Sequence, residues 1–228
     1  PALSALARRE GLWLHADAAW GGAAAFSTRH ARTVSGLPEA DSITLDPHKW
    51  LNVPMGAGVY LSKRPGGLRR VFRTMPRYLP ASPVEGPVTE PYQESPQWSR
   101  RFSGLKILLT LLTAGWEGVD RAISHSFDLA ATLRAAVPAR RWIVCNHSPL
   151  PVICLQDAGR RDDLRHHERL VAAVTQRGRS WVSLALVSGG QPSIRVCMTN
   201  YRTTSHHIDV LLDDLDAARS ADAEAPPF

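Results

Sequence analysis

Six prolines stand between residues 76 and 96, at positions 76, 80, 83, 87, 91 and 96. Each fixes its own φ and withholds a backbone donor, so neither a helix nor a central strand tolerates that density. Residues 75–97 therefore read as one long extended loop that divides the regular structure of the chain in two. Long loops inside compact domains are commonly lids or linkers. At 228 residues the chain can build one large core or two small ones around it.

Ahead of the loop, Ser42-Ile43-Thr44-Leu45 is an apolar run with β-branched residues, which predicts a short buried strand. Asp46-Pro47 breaks it, and His48 and Lys49 follow on the turn. In open α/β sheets ligands bind past the C-terminal ends of the strands. Lysine is scarce here: of 27 Lys and Arg, only Lys49, Lys63 and Lys106 are lysine. A lysine between His48 and Trp50 suggests a need for an amine that can lose its proton, which arginine cannot do. The alternative is a surface lysine after a turn.

Leu12–Asp17 reads as a second short strand, ended by a carboxylate that is costly to bury without a partner. The interval from Asp17 to Ser42 leaves room for a crossover, so the two strands can be parallel neighbours. Asp17 and Lys49 then share one sheet edge. An acid and an amine so placed suit pyridoxal phosphate, the amine as the point of attachment and the acid as partner of the pyridinium nitrogen. A plain Asp–Lys salt bridge is the alternative. It leaves unexplained Ala18-Ala19, whose small side chains would let a flat ring lie close to the strand.

The segments His15-Ala16-Asp17-Ala18-Ala19-Trp20-Gly21-Gly22, Ala40-Asp41-Ser42 and Asp46-Pro47-His48-Lys49-Trp50 resemble the group II pyridoxal-phosphate-dependent amino-acid decarboxylases. That family includes the aromatic-L-amino-acid, glutamate, cysteine-sulfinate and diaminobutyrate enzymes. The resemblance implies that Lys49 is the Schiff-base lysine and Asp17 the pyridinium partner. It implies that Ala19 packs against the ring and that His48 sits by the cofactor phosphate and the reacting centre. It also makes residues 75–97 a lid that reaches the active site across a dimer interface. Within that lid the resemblance implies that Tyr78 returns a proton to the substrate Cα. Phenylalanine at that position marks the related aldehyde synthases, so Tyr78 favours ordinary decarboxylation to an amine and carbon dioxide.

The implied fold is α/β: a partial fold-type-I large domain with an incomplete, mainly parallel sheet, followed by a small C-terminal α/β domain. Residues 1–104 would be the remnant of the cofactor-binding domain, and 105–228 the linking helices and the small domain. The phosphate-binding turn and the histidine stacked on the ring belong to the family's N-terminal half. The chain therefore resembles a C-terminal half, and a homodimer or a complementing N-terminal half is the expected partner beside an amino-acid substrate. A non-catalytic remnant or interaction module is the alternative, and an aminotransferase a further one. Trp20-Gly21-Gly22 leans toward the glutamate branch and His48-Lys49-Trp50 with Tyr78 toward the aromatic one, which leaves the substrate open.

After residue 54, Met55–Leu61 predicts a third strand, its Gly56-x-Gly58 read as close packing rather than a phosphate loop. Leu68–Arg73 predicts a short helical or irregular segment. Two helices are predicted at Gly104–Trp116 and Gly118–Val137. Beyond them come strands at Trp142–Cys145 and Val152–Leu155, a helix at Asp162–Gln176, strands at Trp181–Val187 and Ser193–Met198, and a last helix at Ile208–Arg219. The net charge of +6 and pI near 9.7 raise nucleic acid as a partner. The arginines are scattered, so a general surface bias with no nucleic-acid partner is expected. Cys145, Cys154 and Cys197 form no disulfide or metal pattern, and with no apolar stretch of membrane-spanning length a cytoplasmic protein is expected. His166-His167, His206-His207 and Cys145-x-His147 are read as surface histidines rather than metal ligands.

Overall fold

The computed structural model describes residues 2–72 and 91–224. Tyr78 and most of the predicted lid lie outside the described residues. The chain divides into two compact units, Pro1–Ala23 with Val34–Thr113, and Ala24–Thr33 with Ala114–Phe228. Among the described residues no helix is long and apolar enough to cross a membrane.

The first unit opens with helix α1 (Ala2–Arg9), which buries Ser4 and Ala7 on one face. Strand β1 (His15–Asp17) pairs parallel with β2 (Ser42–Leu45), in the register His15↔Ser42, Ala16↔Ile43 and Asp17↔Thr44. This is the parallel neighbourhood predicted from the crossover length. Strand β3 (Val59–Ser62) joins the other side of β2 antiparallel, so the sheet is mixed, in the order β1-β2-β3. Because side chains alternate across a strand, His15, Asp17, Ser42, Thr44 and Tyr60 share one face.

The strands are less enclosed than an apolar run suggests: Ser42 alone among their residues is buried. Beyond Ser4 and Ala7 of α1, further buried side chains of this unit lie at the strand ends and in the turns after them. They include Ala18, Trp50, Leu51, Val53 and Ala57. Helix α2 (Gly67–Phe72) follows β3.

Helix α3 (Ser103–Ala136) is interrupted at Gly115, whose φ of 66° and ψ of 165° are not helical. The two predicted helices are thus the two arms of one run, and the units divide at the same place. Ser103 Oγ donates to Gly56 O (3.1 Å) and Lys106 Nζ to Met55 O (2.6 Å), so the polar side of the first arm holds the loop before β3. Leu105, Leu108, Leu109 and Leu112 recur at helical spacing on its other side, each at least 45% exposed.

In the second unit β4 (Trp142–Val144), β5 (Val152–Asp157), β6 (Ser183–Val187) and β7 (Gln191–Cys197) form an antiparallel sheet in the order β4-β5-β7-β6. Gly189 and Gly190, both at positive φ (82° and 77°), turn the β6–β7 hairpin where a side chain would be strained. Helices α4 (Leu164–Gln176) and α5 (Ser205–Glu224) cover it. Asp163 caps α4, its side chain accepting the His166 N–H at 2.9 Å. Leu133, Ile153, Leu155, Leu170, Ile194, Leu212 and Leu215 are fully buried in one core. Each such side chain contributes about 1.5–3 kcal/mol.

His166 and His167 are not the surface residues expected; they are 1% and 0% exposed. Both His166 ring nitrogens lie within hydrogen-bond distance of carboxylates, Nε2 of Asp157 (2.9 Å) and Nδ1 of Asp222 (2.6 Å). His167 Nδ1–H donates to Asp163 O (2.8 Å), and its Nε2 accepts the Asp157 N–H (3.3 Å). Burial is tolerated because the ring nitrogens are satisfied, a pairing that adjacency in sequence does not reveal.

Candidate active site

The hydrogen bonding of β1 and β2 continues past their ends. Ala18 N–H donates to Thr44 O (3.0 Å), and Asp46 N–H donates to Ala19 O (2.9 Å). The segment after Asp17 is thereby tied to the turn that carries His48 and Lys49. That turn is tight: Lys49 N–H donates to Asp46 O (2.9 Å) and Val53 N–H to Pro47 O (3.1 Å). Asn52 takes the left-handed region, with φ of 56°, and its side-chain amide donates to Trp50 O at 2.9 Å. Below the turn Trp50 is buried, and its ring stacks on that of Trp20 with centroids 4.5 Å apart. Asp17, Ala19, His48 and Lys49 therefore gather at one edge of one sheet.

Gly22 makes the close approach possible. A Cβ there would lie 2.9 Å from Ala18 Cβ and 3.0 Å from Leu45 Cδ1. Gly22 is thus a packing feature beside β2.

Asp17 is exposed rather than buried, and its Oδ1 accepts the Ala19 N–H at 3.0 Å. That bond fixes the carboxylate over its own turn and leaves Oδ2 for another partner. Lys49 Nζ lies 2.8 Å from Asp46 Oδ2, and the lysine side chain is 42% exposed. His48 Nδ1–H donates to Ala57 O at 2.5 Å, which leaves Nε2 as the acceptor of a neutral ring. Ala19 is partly exposed beside them.

Asp46 is the residue whose part the sequence does not announce. It reads as a strand breaker, yet its carboxylate is the partner of the lysine amine. The available signal is its spacing, three residues before Lys49. Asp46 also lines a cavity of about 1150 Å³ with Thr44, Gly58, Tyr60, Arg101 and Phe102. The Gly56 carbonyl accepts the Ser103 hydroxyl, and a Cβ on Gly58 would lie 3.5 Å from Asp46 Oδ1. Among the described residues no group of three or more His, Cys, Asp or Glu is arranged to hold a metal.

An amine, a carboxylate and a small residue at one strand edge are chemically suited to an aldehyde-bearing pyridine ring. Residues 2–157 match the family model described as the pyridoxal-dependent decarboxylase conserved domain. The chain is 32% identical over 215 residues to an aromatic-L-amino-acid decarboxylase of Bacillus atrophaeus, covering 90% of this chain and 44% of the relative. It is 29% identical over 231 residues to the human cysteine sulfinic acid decarboxylase, covering 94% and 47%. In fold it is similar to Oryza sativa TDC solved with PLP and tryptamine, with a TM-score of 0.87 at 22% identity over 97% of this chain and 47% of that one. The chain spans about half the length of these relatives.

Proposed function

The chain belongs to the pyridoxal-dependent decarboxylase family, and from that premise we propose that it is the lysine-bearing half of an L-amino-acid decarboxylase that forms an amine and carbon dioxide. The observation that carries the reading is the pair of backbone bonds, Ala18 to Thr44 and Asp46 to Ala19, which hold a carboxylate and an amine at one sheet edge. Pyridoxal phosphate, when bound, supplies the electron sink for the bond broken at Cα.

The chain's own groups have separable tasks. Lys49 provides the amine that attaches the cofactor and later releases the product. Asp17 Oδ2, the oxygen not engaged by Ala19, holds a proton at the ring nitrogen. Ala19, with no more than a methyl group, leaves space for the ring. His48 accepts at Nε2, because Nδ1–H is committed to Ala57. Tyr78, outside the described residues, returns the proton to the substrate Cα. The exposed leucine face of α3 and the open sheet edges support completion by an N-terminal half or a second copy. Three free cysteines support a reducing, cytoplasmic setting.

The test is reduction of the chain with borohydride in the presence of pyridoxal phosphate, followed by peptide mass mapping. Label concentrated on Lys49 supports the reading. Label spread evenly over Lys49, Lys63 and Lys106 overturns it.

A further inference from the structure

Asp46 and Lys49 form an ion pair that the backbone sets up. Asp46 N–H is bonded to Ala19 O, and Lys49 N–H to Asp46 O, both at 2.9 Å. The chain therefore turns back on itself between them, and the two side chains meet at 2.8 Å. The carboxylate is the more sheltered partner, 26% exposed against 42% for the lysine. A Cβ on Gly58 would lie 3.5 Å from its other oxygen, an ordinary contact. Asp46 also lines the cavity of about 1150 Å³, which Lys49 does not. The acid thus lies between the amine and the Gly58 wall of that cavity.

We infer that Asp46 is a positioning residue for Lys49: it ties the side chain to the sheet edge and receives the proton that the amine must shed before it attacks an aldehyde. The inference rests on the reading of Lys49 as the lysine that takes the cofactor. In the resting pair Lys49 carries three N–H bonds and Asp46 is a carboxylate. One proton passes from Nζ to Oδ2, leaving a neutral amine and a carboxylic acid. The nitrogen lone pair then forms the C–N bond to the aldehyde carbon. As the C=N bond is completed the carbonyl oxygen leaves as water, carrying two of the three ammonium protons, one of them relayed through Asp46; the third stays on the nitrogen and Asp46 ends as a carboxylate. No oxidant or further reactant is needed. An arginine partner could not make this exchange, which accords with lysine standing here in a chain that otherwise favours arginine.

The chain contains its own control, because Lys63 lies outside the pair. The test compares the full chain with Asp46→Asn, which keeps the shape and the backbone bonds, using two reagents at pH 7. Acetic anhydride requires only a free amine. Pyridoxal phosphate with cyanoborohydride requires a free amine that is also held correctly and served by a proton relay. Labelling at Lys49 is read by peptide mass spectrometry relative to Lys63.

In Asp46→Asn, acylation of Lys49 is expected to rise about threefold, since the amine is no longer tied to a carboxylate. Aldehyde capture at Lys49 is expected to fall about tenfold relative to that acylation. Unchanged acylation would show that the carboxylate does not hold the lysine side chain and would overturn the inference. Capture rising in step with acylation would reduce Asp46 to a bystander and overturn it as well. Should wild-type Lys49 acylate normally yet capture the aldehyde no faster than Lys63, the reading of Lys49 itself falls, and the inference with it.

Discussion

Trp20 and Trp50 lie face to face, their ring centroids 4.5 Å apart and their planes 7° from parallel. One follows Asp17 and the other follows Lys49, so the stack joins the segments that carry the acid and the amine. Trp50 is 2% exposed and is the largest buried side chain of its unit. Trp50→Ala should cost about 3–5 kcal/mol. Trp20→Ala should cost less, because that ring is only partly buried. A double-mutant cycle in urea should give a coupling of about 0.5–1.5 kcal/mol. Additive losses would show that the two rings pack independently and that the stack does not join the segments.

Gly22 offers a sharper test of the same corner. Gly22→Ala would put a methyl group 2.9 Å from Ala18 Cβ and 3.0 Å from Leu45 Cδ1. The clash should cost about 1–3 kcal/mol. Gly67→Ala is the control, since its Cβ would meet Arg64 Cβ at an ordinary 3.7 Å. That substitution at the start of α2 should be neutral or stabilise by about 0.4–1 kcal/mol. Thermal unfolding of both variants decides; equal midpoints would mean that β2 can shift to admit the methyl group.

The sequence announces those parts of this arrangement that depend on neighbours along the chain. The β1–β2 pair is legible because two short apolar runs are each ended by a polar break, with a crossover's worth of residues between them. The strands of the second unit are legible from their β-branched runs, and its helices from apolar spacing. What escapes are relations between distant residues. Asp157 and Asp222 are 65 positions apart, yet both meet His166. Each of the three looks like a surface residue when taken singly, and only the fold makes their burial mutual. Asp46 escapes for a different reason: its effect on the backbone, ending a strand, accounts for its presence without any need to ask where its carboxylate goes. Tyr78 and the remainder of residues 73–90 lie outside the described residues, and the part played by Tyr78 stands as a proposal alone.

Asp222 predicts how the second unit responds to acid. Its carboxylate is bonded by Arg169, Arg160 and His166 and is 6% exposed. Arg169 above all, with His166, lowers its pKa from 3.8 to about 2, against the opposing effect of burial. A carboxylate lowered in the folded state contributes stability that is present above its unfolded value near 3.8 and is lost as pH falls through about 2. Between pH 4 and pH 2 the wild-type chain should lose about 2 kcal/mol from this group. Asp222→Asn should lose that amount already at pH 7 and show a flatter profile across the same window. Urea midpoints measured from pH 7 to pH 2 test this, and parallel profiles for the two proteins would remove Asp222 as the cause.

Asp17 allows the chemistry of the sheet edge to be separated from its architecture. Its Oδ1 accepts the Ala19 N–H at 3.0 Å, and an amide oxygen in the same place can accept that bond equally. Asp17→Asn should therefore leave the turn and the urea midpoint within about 0.5 kcal/mol of wild type, as expected for an exposed substitution. On the proposed role of Asp17, loss of the negative charge would leave nothing at this position to hold a proton on the ring nitrogen, and the electron sink would be weakened. In the completed enzyme the variant should retain pyridoxal phosphate label on Lys49 after borohydride reduction, while amine formation falls at least a hundredfold. Asp17→Ala should lose the turn bond as well, at a cost of about 1 kcal/mol. Full turnover by Asp17→Asn would show that the carboxylate serves only the Ala19 turn. A collapse of stability in Asp17→Asn would show the reverse error, a charge that the fold itself requires.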